Sequence, residues 1–199
     1  GLPTGRTPMA MYRHLVRLSK AEDIDWSKAR GFALDEYLDV DPKYSFGSYL
    51  AEKLYDHVAL PGENRFDPQQ TDDYDRLIAE NGGLDITILG IGINGHIAFN
   101  EPGTPRQSWT HSVPLTQSTI EANRQYFKNS NSQPSRAVTM GIGTILSSRK
   151  IILMAFGKSK KEILSKALYG PIDSEIPASY LKTHDNLHVL TDFDCAQLA

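Results

Sequence analysis

The sequence predicts an α/β fold around a mainly parallel sheet. Three observations carry this. Short apolar runs alternate with longer segments of helical periodicity, no repeat or low-complexity tract interrupts them, and 199 residues suffice for one core in a single domain.

Taken in order, the first element is a helix over 8–20. Thr7 suits its N-cap, Pro8 suits its first position, and Met11, Leu15 and Leu18 share one face. The apolar run 31–34 reads as a strand, and helices are expected over 45–57 and 72–80. Runs over 84–89, 151–156 and 187–190 are the further strands; a helix over 159–169 starts after Gly157. The chain opens on a glycine-containing loop with no strand to hold it at a sheet's carboxyl edge, so the domain 1–199 is expected to lack an N-terminal strand. The polar stretch 61–70 joins two helices more abruptly than its neighbours do.

Composition narrows the function. With 21 Lys plus Arg against 24 Asp plus Glu, the net charge is −3, so no bulk field draws the chain to nucleic acid or an anionic membrane. Any anion must be captured locally. The single cysteine, Cys195, has no partner for an internal disulfide, which favours a reducing, cytoplasmic setting. No apolar run approaches the ~18 residues of a spanning helix, so a soluble protein is expected.

Three constellations could carry chemistry. The loop Thr4-Gly5-Arg6-Thr7 leads into the N-terminus of the first helix, where amide hydrogens, hydroxyls and the Arg6 charge suit a phosphate; an ordinary capped turn is the plain alternative. Asp35-Glu36-Tyr37 follows the run 31–34, placing a carboxylate at the ligand-bearing edge of a parallel sheet; a solvated helix N-terminus is the alternative. In the third, a buried strand runs into Gly90, Gly92 and Gly95 and then delivers Asn94, His96 and Glu101 within eight residues. One loop thus offers a proton shuttle and a carboxylate. Paired histidines or cysteines are lacking, which makes metal binding the weaker reading of this cluster. Lys160, after Gly157, could close over an anion at the same edge, and His184 is a weaker candidate for lining the site.

Together, Leu2-Pro-Thr-Gly-x-Thr-Pro8, Asp35-Glu-Tyr37 and Gly95-His-Ile-Ala-Phe-Asn-Glu-Pro-Gly103 give a chain that resembles the glucosamine-6-phosphate deaminase/isomerase family over essentially its whole length. Gly141-Ile-Gly-Thr-Ile-Leu146 and Pro177-Ala-Ser-x-Leu-x-x-His184 match as well, and the tail is similar to the galactosamine-6-phosphate isomerase branch. The resemblance implies a Rossmann-like three-layer fold and conversion of a 2-amino-2-deoxyhexose 6-phosphate into a ketohexose 6-phosphate and ammonia. It implies that Asp35 is the base moving the C2 proton to C1. His96 and Glu101 would open the pyranose ring with Asn94 assisting, and the phosphate would lie on Thr4, Gly5, Arg6 and Thr7 with Lys160. The family's second phosphate-binding arginine falls on Gln125, with Arg124 one place earlier. Many members carry aspartate in place of Asn94, so Asn94→Asp is expected to be tolerated. The expected partner is the small amino-sugar phosphate, not nucleic acid or membrane, with assembly into a homo-oligomer left open. The rival readings are a 6-phosphogluconolactonase-like hydrolase and a non-catalytic sugar-phosphate sensor. An arginine in place of Tyr37 would have favoured the lactonase.

Overall fold

The computed structural model describes residues 1–21, 24–123, 127 and 133–194. Strands β1 (Gly31–Phe32) and β3 (Arg65–Phe66) pair in parallel, as do β4 (Thr87–Gly90), β7 (Ile151–Ala155) and β8 (Leu187–Thr191), with β7 in the centre. Gly1 and Leu2 join the two groups. Leu2 bridges Ala33 in parallel, and Gly1 O accepts from Ile88 N at 3.0 Å. The phosphate-loop candidate therefore leaves a sheet position directly.

Alternation along the first strand explains the layers. Phe32 and Leu34 pack into a core with Tyr74, Ile145, Leu153 and Leu164, whereas Ala33 faces a second core with Tyr12, Leu50 and Leu54. Helices α1 (Met9–Lys20) and α2 (Phe46–Lys53) supply the second core. Helices α3 (Tyr74–Glu80), α5 (Ile142–Leu146) and α6 (Lys161–Tyr169) supply the first, and α4 (Gln117–Asn123) follows the smaller sheet. A sheet covered on both faces requires continuous apolar strands, and Ile88, Leu89, Ile151 and Leu153 are all buried. The α/β class and its three layers stand as expected.

A second sheet was not foreseen. β2 (Asp35–Tyr37), β6 (Arg136–Thr139) and β5 (His111–Pro114) form an antiparallel unit in the order β2-β6-β5. Its strands are short and chemically mixed, so neither periodicity nor apolar runs reveal them. The chain enters this sheet straight from β1. Leu34 N donates to Leu2 O on the parallel side, while Leu34 O accepts from Met140 N on the antiparallel side at 2.7 Å.

Several boundaries differ from expectation. α1 starts at Met9 with Pro8 in the cap position and no side-chain cap, so Thr7 does not cap it. The helix expected over 45–57 breaks at Leu54, leaving α2, capped by Ser45, and a separate 3-10 turn at Tyr55–His57. α3 begins only at Tyr74, because the Asp73 carboxylate caps it through Arg76 N at 3.0 Å. A 3-10 turn at Lys158–Lys160 precedes α6. The strand expected over 84–89 is shorter and later, Thr87–Gly90. Within the polar stretch 61–70, β3 forms because Phe66 stacks on Phe32 at 4.7 Å.

Glu36 ties α2 to the junction between the sheets. Its buried carboxylate accepts from the N–H groups of Tyr37, Phe46 and Gly47, each at 2.8 Å. Truncating it orphans donors at a helix N-terminus, for which the ordinary penalty is about 1–3 kcal/mol. Urea unfolding of Glu36→Ala is expected to show a loss in that range with an unchanged m-value; a change below about 0.5 kcal/mol contradicts the capping role.

Candidate active site

The polar groups gather where the strands end. β4 stops at Gly90, and the turn after it is closed by Gly92 N to His96 O at 2.9 Å and Gly95 N to Gly92 O at 3.2 Å. Gly92 has a steric reason to be glycine: a Cβ there would sit 2.3 Å from the His96 ring. Gly95 is at φ 88°, and its Cβ would meet Ile176 at 2.7 Å. The turn thus presses the imidazole against the strand end.

Asn94 orders the pair beside it. Its Nδ2 donates to Glu101 Oε2 at 2.7 Å, which leaves Oδ1 to accept from His96 Nδ1 at 2.7 Å and from His96 N at 3.2 Å. The amide orientation therefore fixes the proton of a neutral His96 on Nδ1 and makes Nε2 the basic nitrogen. Glu101 Oε2 lies 3.5 Å from His96 Nδ1. Two hydroxyls complete the carboxylate: Thr119 Oγ1 at 3.2 Å and Thr116 Oγ1 at 3.4 Å both reach Glu101 Oε1. Desolvation pushes the Glu101 carboxyl up, but the hydrogen bonds from His96 and Asn94 outweigh it and hold the group at about 2.

Asp35 has the opposite setting. Its side chain is 7 % exposed, and burial, aided by the neighbouring Glu36 charge, pushes it up to about 8. A carboxyl poised there can both take and return a proton near neutral pH. Glu36, although adjacent, is committed to α2, so the alternative of a solvated helix N-terminus fails for both residues.

The anion candidates flank the same turn. Gly90 faces Thr7, whose Oγ1 would lie 3.7 Å from a Cβ built on it, and Lys160 Nζ donates to Ile91 O at 2.7 Å. Burial lowers the Lys160 ammonium below its ordinary value. Gly5 is at φ 83° with open space beside it, and its carbonyl accepts from Tyr49 at 2.5 Å, which pins the Thr4–Thr7 loop to α2. Lys158 points to solvent, and Lys161 lies over the Phe193 ring. Arg124 and Gln125, like Cys195, lie outside the described residues.

His184 is not part of this group. Its Nε2 donates to Ser148 O at 2.6 Å and its Nδ1 accepts from Asn186 N at 3.1 Å, so it fastens β8 to the end of α5. Sequence reasoning missed Thr116 and Thr119, although their spacing at a helix start is a capping pattern. Among the described residues, no cluster of three histidine, cysteine, aspartate or glutamate side chains could hold a metal ion, and no helix is long and apolar enough to cross a membrane.

Comparison with known proteins places this geometry in context. The sequence model of a family described as glucosamine-6-phosphate isomerases/6-phosphogluconolactonase matches residues 1–189. The glucosamine-6-phosphate deaminase of Lachnoclostridium phytofermentans is 41% identical, the match covering 98% of this chain and 86% of the relative. That of Bacillus pumilus is 40% identical, with coverage of 100% and 86%. The solved structure of a monomeric glucosamine-6-phosphate deaminase superposes with a TM-score of 0.92 at 41% identity, covering 100% of this chain and 87% of that one. A 6-phosphogluconolactonase from Trypanosoma brucei, at 20% identity, coverage of 99% and 84%, and a TM-score of 0.73, shares the fold.

The two carboxyl environments have separate consequences. Folded Asp35 keeps its proton up to about 8, whereas the unfolded group releases it near 3.8, so between those values the unfolded chain binds fewer protons and stability falls as pH rises. Urea unfolding at several pH values is expected to show Asp35→Asn flattening that fall and gaining about 1–2 kcal/mol at pH near 8. Identical pH profiles would contradict a buried, neutral carboxyl. The tolerance expected for Asn94→Asp is also revised, because the amide is the donor to Glu101 and a carboxylate there would face another at 2.7 Å. NMR titration of that variant is expected to place Glu101 above its wild-type value; an unmoved titration would contradict the donor role.

Proposed function

The chain belongs to the glucosamine-6-phosphate isomerase/6-phosphogluconolactonase family, and we propose that it is a deaminase converting glucosamine 6-phosphate and water into fructose 6-phosphate and ammonia, a step of amino-sugar catabolism. The observation that carries this reading is the amide-bridged set His96, Asn94 and Glu101 on the turn after β4, with the Lys160 ammonium reaching Ile91 O of that turn from the 3-10 turn before α6. The names of the relatives at about 40% identity support the deaminase over the lactonase.

The phosphate lies on the Thr4–Thr7 loop, where Lys160 exchanges the Ile91 carbonyl for a phosphate oxygen and Arg6 adds a charged donor. His96 Nε2 takes the proton of the C1 hydroxyl and returns it to the ring oxygen, opening the pyranose to the aldehyde. Glu101 stabilises the imidazolium that forms between the two transfers, at one remove through Asn94. The aldehyde acidifies the adjacent C2–H. Asp35 removes that proton while the aldehyde oxygen takes one from the substrate's own ammonium, giving the enolamine; Asp35 then delivers the C2 proton to C1, leaving a protonated C2 imine. Water adds to the imine, ammonia leaves, and the ketone remains. Ring opening and isomerisation are proton transfers between positioned groups, hydrolysis of the imine uses water, and no step uses a cofactor.

Incubation with glucosamine 6-phosphate, galactosamine 6-phosphate and 6-phosphogluconolactone, following ammonia, ketose phosphate and acid, tests the assignment. Ammonia from a hexosamine phosphate with an inert lactone is the expected outcome; lactone hydrolysis alone would sink it. The division of labour has its own test with 2-amino-2-deoxyglucitol 6-phosphate, which needs no ring opening. Lys160→Ala removes a charge-assisted contact worth about 1.5–3 kcal/mol, so it is expected to bind this hexitol at least about tenfold more weakly and to raise KM. His96→Ala is expected to lower kcat while binding the hexitol nearly as wild type does. The reverse pattern would exchange the two roles.

A further inference from the structure

Asp35 and the His96 turn belong to different sheets, and one buried amide lies between them. Asn100 is fully buried and immediately precedes Glu101. Its Nδ2 donates to Ile97 O at 3.0 Å, within its own turn, and to Met140 O at 2.8 Å, just beyond β6. Met140 N in turn donates to Leu34 O at 2.7 Å, and Leu34 immediately precedes Asp35. The path from Glu101 to Asp35 is therefore one side-chain amide and two backbone groups, all buried.

A second tie runs beside the first. Phe99 N donates to Thr139 Oγ1 at 3.2 Å, and Thr139 stands opposite Asp35 in the β2–β6 register. The flanking pairs, Leu34 with Met140 and Leu38 with Arg136, are hydrogen-bonded across the ladder, so Asp35 and Thr139 form a non-hydrogen-bonded pair, the kind in which side chains stand closest. The turn between the ties needs them. Ala98 sits at φ 51°, a left-handed conformation that a residue with a Cβ disfavours and that persists only where the surroundings impose it.

The amide also carries a defect that packing alone does not explain. Among the described residues Asn100 Oδ1 is buried without a hydrogen-bond partner, so a leucine of similar volume would fill the space with no orphaned acceptor. What a leucine could not supply is the pair of donors to Ile97 and Met140.

We infer that Asn100 is a positioning residue, whose amide sets the separation between the Asp35 carboxyl, acting at C2, and the His96–Glu101 pair, acting at C1 and the ring oxygen. The inference rests on the deaminase reading above. One substrate must meet both groups in sequence, and misplacement by about 1 Å can cost of order 10²-fold in rate.

Asn100→Asp keeps the shape and exchanges the donors for acceptors. With glucosamine 6-phosphate its kcat is expected to fall by at least about thirtyfold, with KM changed by less than about threefold. By titration calorimetry, 2-amino-2-deoxyglucitol 6-phosphate is expected to bind with near-wild-type affinity and unchanged stoichiometry. A merely structural role would lower kcat and the stoichiometry together, by the same factor, and that outcome overturns the inference. Thr139→Val loosens the second tie and is read the same way if Asn100→Asp does not fold; its kcat is expected to fall by about fivefold with hexitol affinity unchanged. Wild-type ammonia release with both variants within about threefold of wild-type kcat overturns the positioning role alone. A wild-type chain that releases no ammonia overturns the deaminase reading, and this inference with it.

Discussion

Leu34 divides its two backbone hydrogen bonds between two sheets, and the candidate site depends on that division. Its N–H completes the parallel sheet through Leu2, and its carbonyl opens the antiparallel sheet through Met140. A strand that simply ended here would release its next residue into solvent, as carboxyl-edge loops usually do. Continuing into β2 instead keeps Asp35 inside the protein while leaving it at the carboxyl edge of the parallel sheet. The location that suits a ligand and the burial that raises a carboxyl thus come from a single backbone feature. Met140 also receives the Asn100 amide, so the same junction anchors the His96 turn.

Neighbouring carboxyls at this junction show how little burial alone decides. Asp35 and Glu36 are both nearly inaccessible. Glu36 accepts three backbone N–H bonds, which pull against the upward push of burial and fix it as a helix cap. Among the described residues no comparable bonds reach Asp35, and desolvation dominates its ionisation. Glu101 gives the third combination: half-buried, but bonded to an amide, an imidazole and hydroxyls strongly enough to stay ionised. One residue type or its homologue is therefore a helix cap, a carboxyl raised toward neutral pH or a low-lying carboxylate, sorted by donor count.

The centre of the parallel sheet was legible in the sequence because strands buried on both faces must be apolar, as the run over 151–156 is, while the edge strand β8 alternates partly buried and exposed residues. The antiparallel unit was not legible: His-Ser-Val-Pro and Asp-Glu-Tyr have neither a run nor a clean alternation, and both find their partner only in β6, with Asp35 and His111 each opposite Thr139. Among site candidates, Asn94, His96 and Glu101 were legible because a glycine-rich turn confines them to eight residues. Thr116 and Thr119 were not, since their approach to Glu101 depends on how α4 packs. His184 misled because a histidine near a motif looks the same whether it faces a ligand or a carbonyl. Asn94 lies in the cluster the sequence singles out, but the direction of its amide, which decides what an aspartate there would face, is a property of the folded turn.

The arrangement separates two demands that a single carboxylate could not meet. Carrying a proton between adjacent carbons near neutral pH calls for a group with few donors, because each donor lowers its proton affinity. Steadying a transient imidazolium calls for a group that stays ionised throughout, which requires many donors. In the proposed reaction the first part falls to Asp35, behind Leu34 at the sheet junction, and the second to Glu101, on the turn after β4 among hydroxyl and amide donors. Two independently tuned environments then require something rigid between them, and the buried bonds through Thr139, Met140 and Asn100 occupy that place.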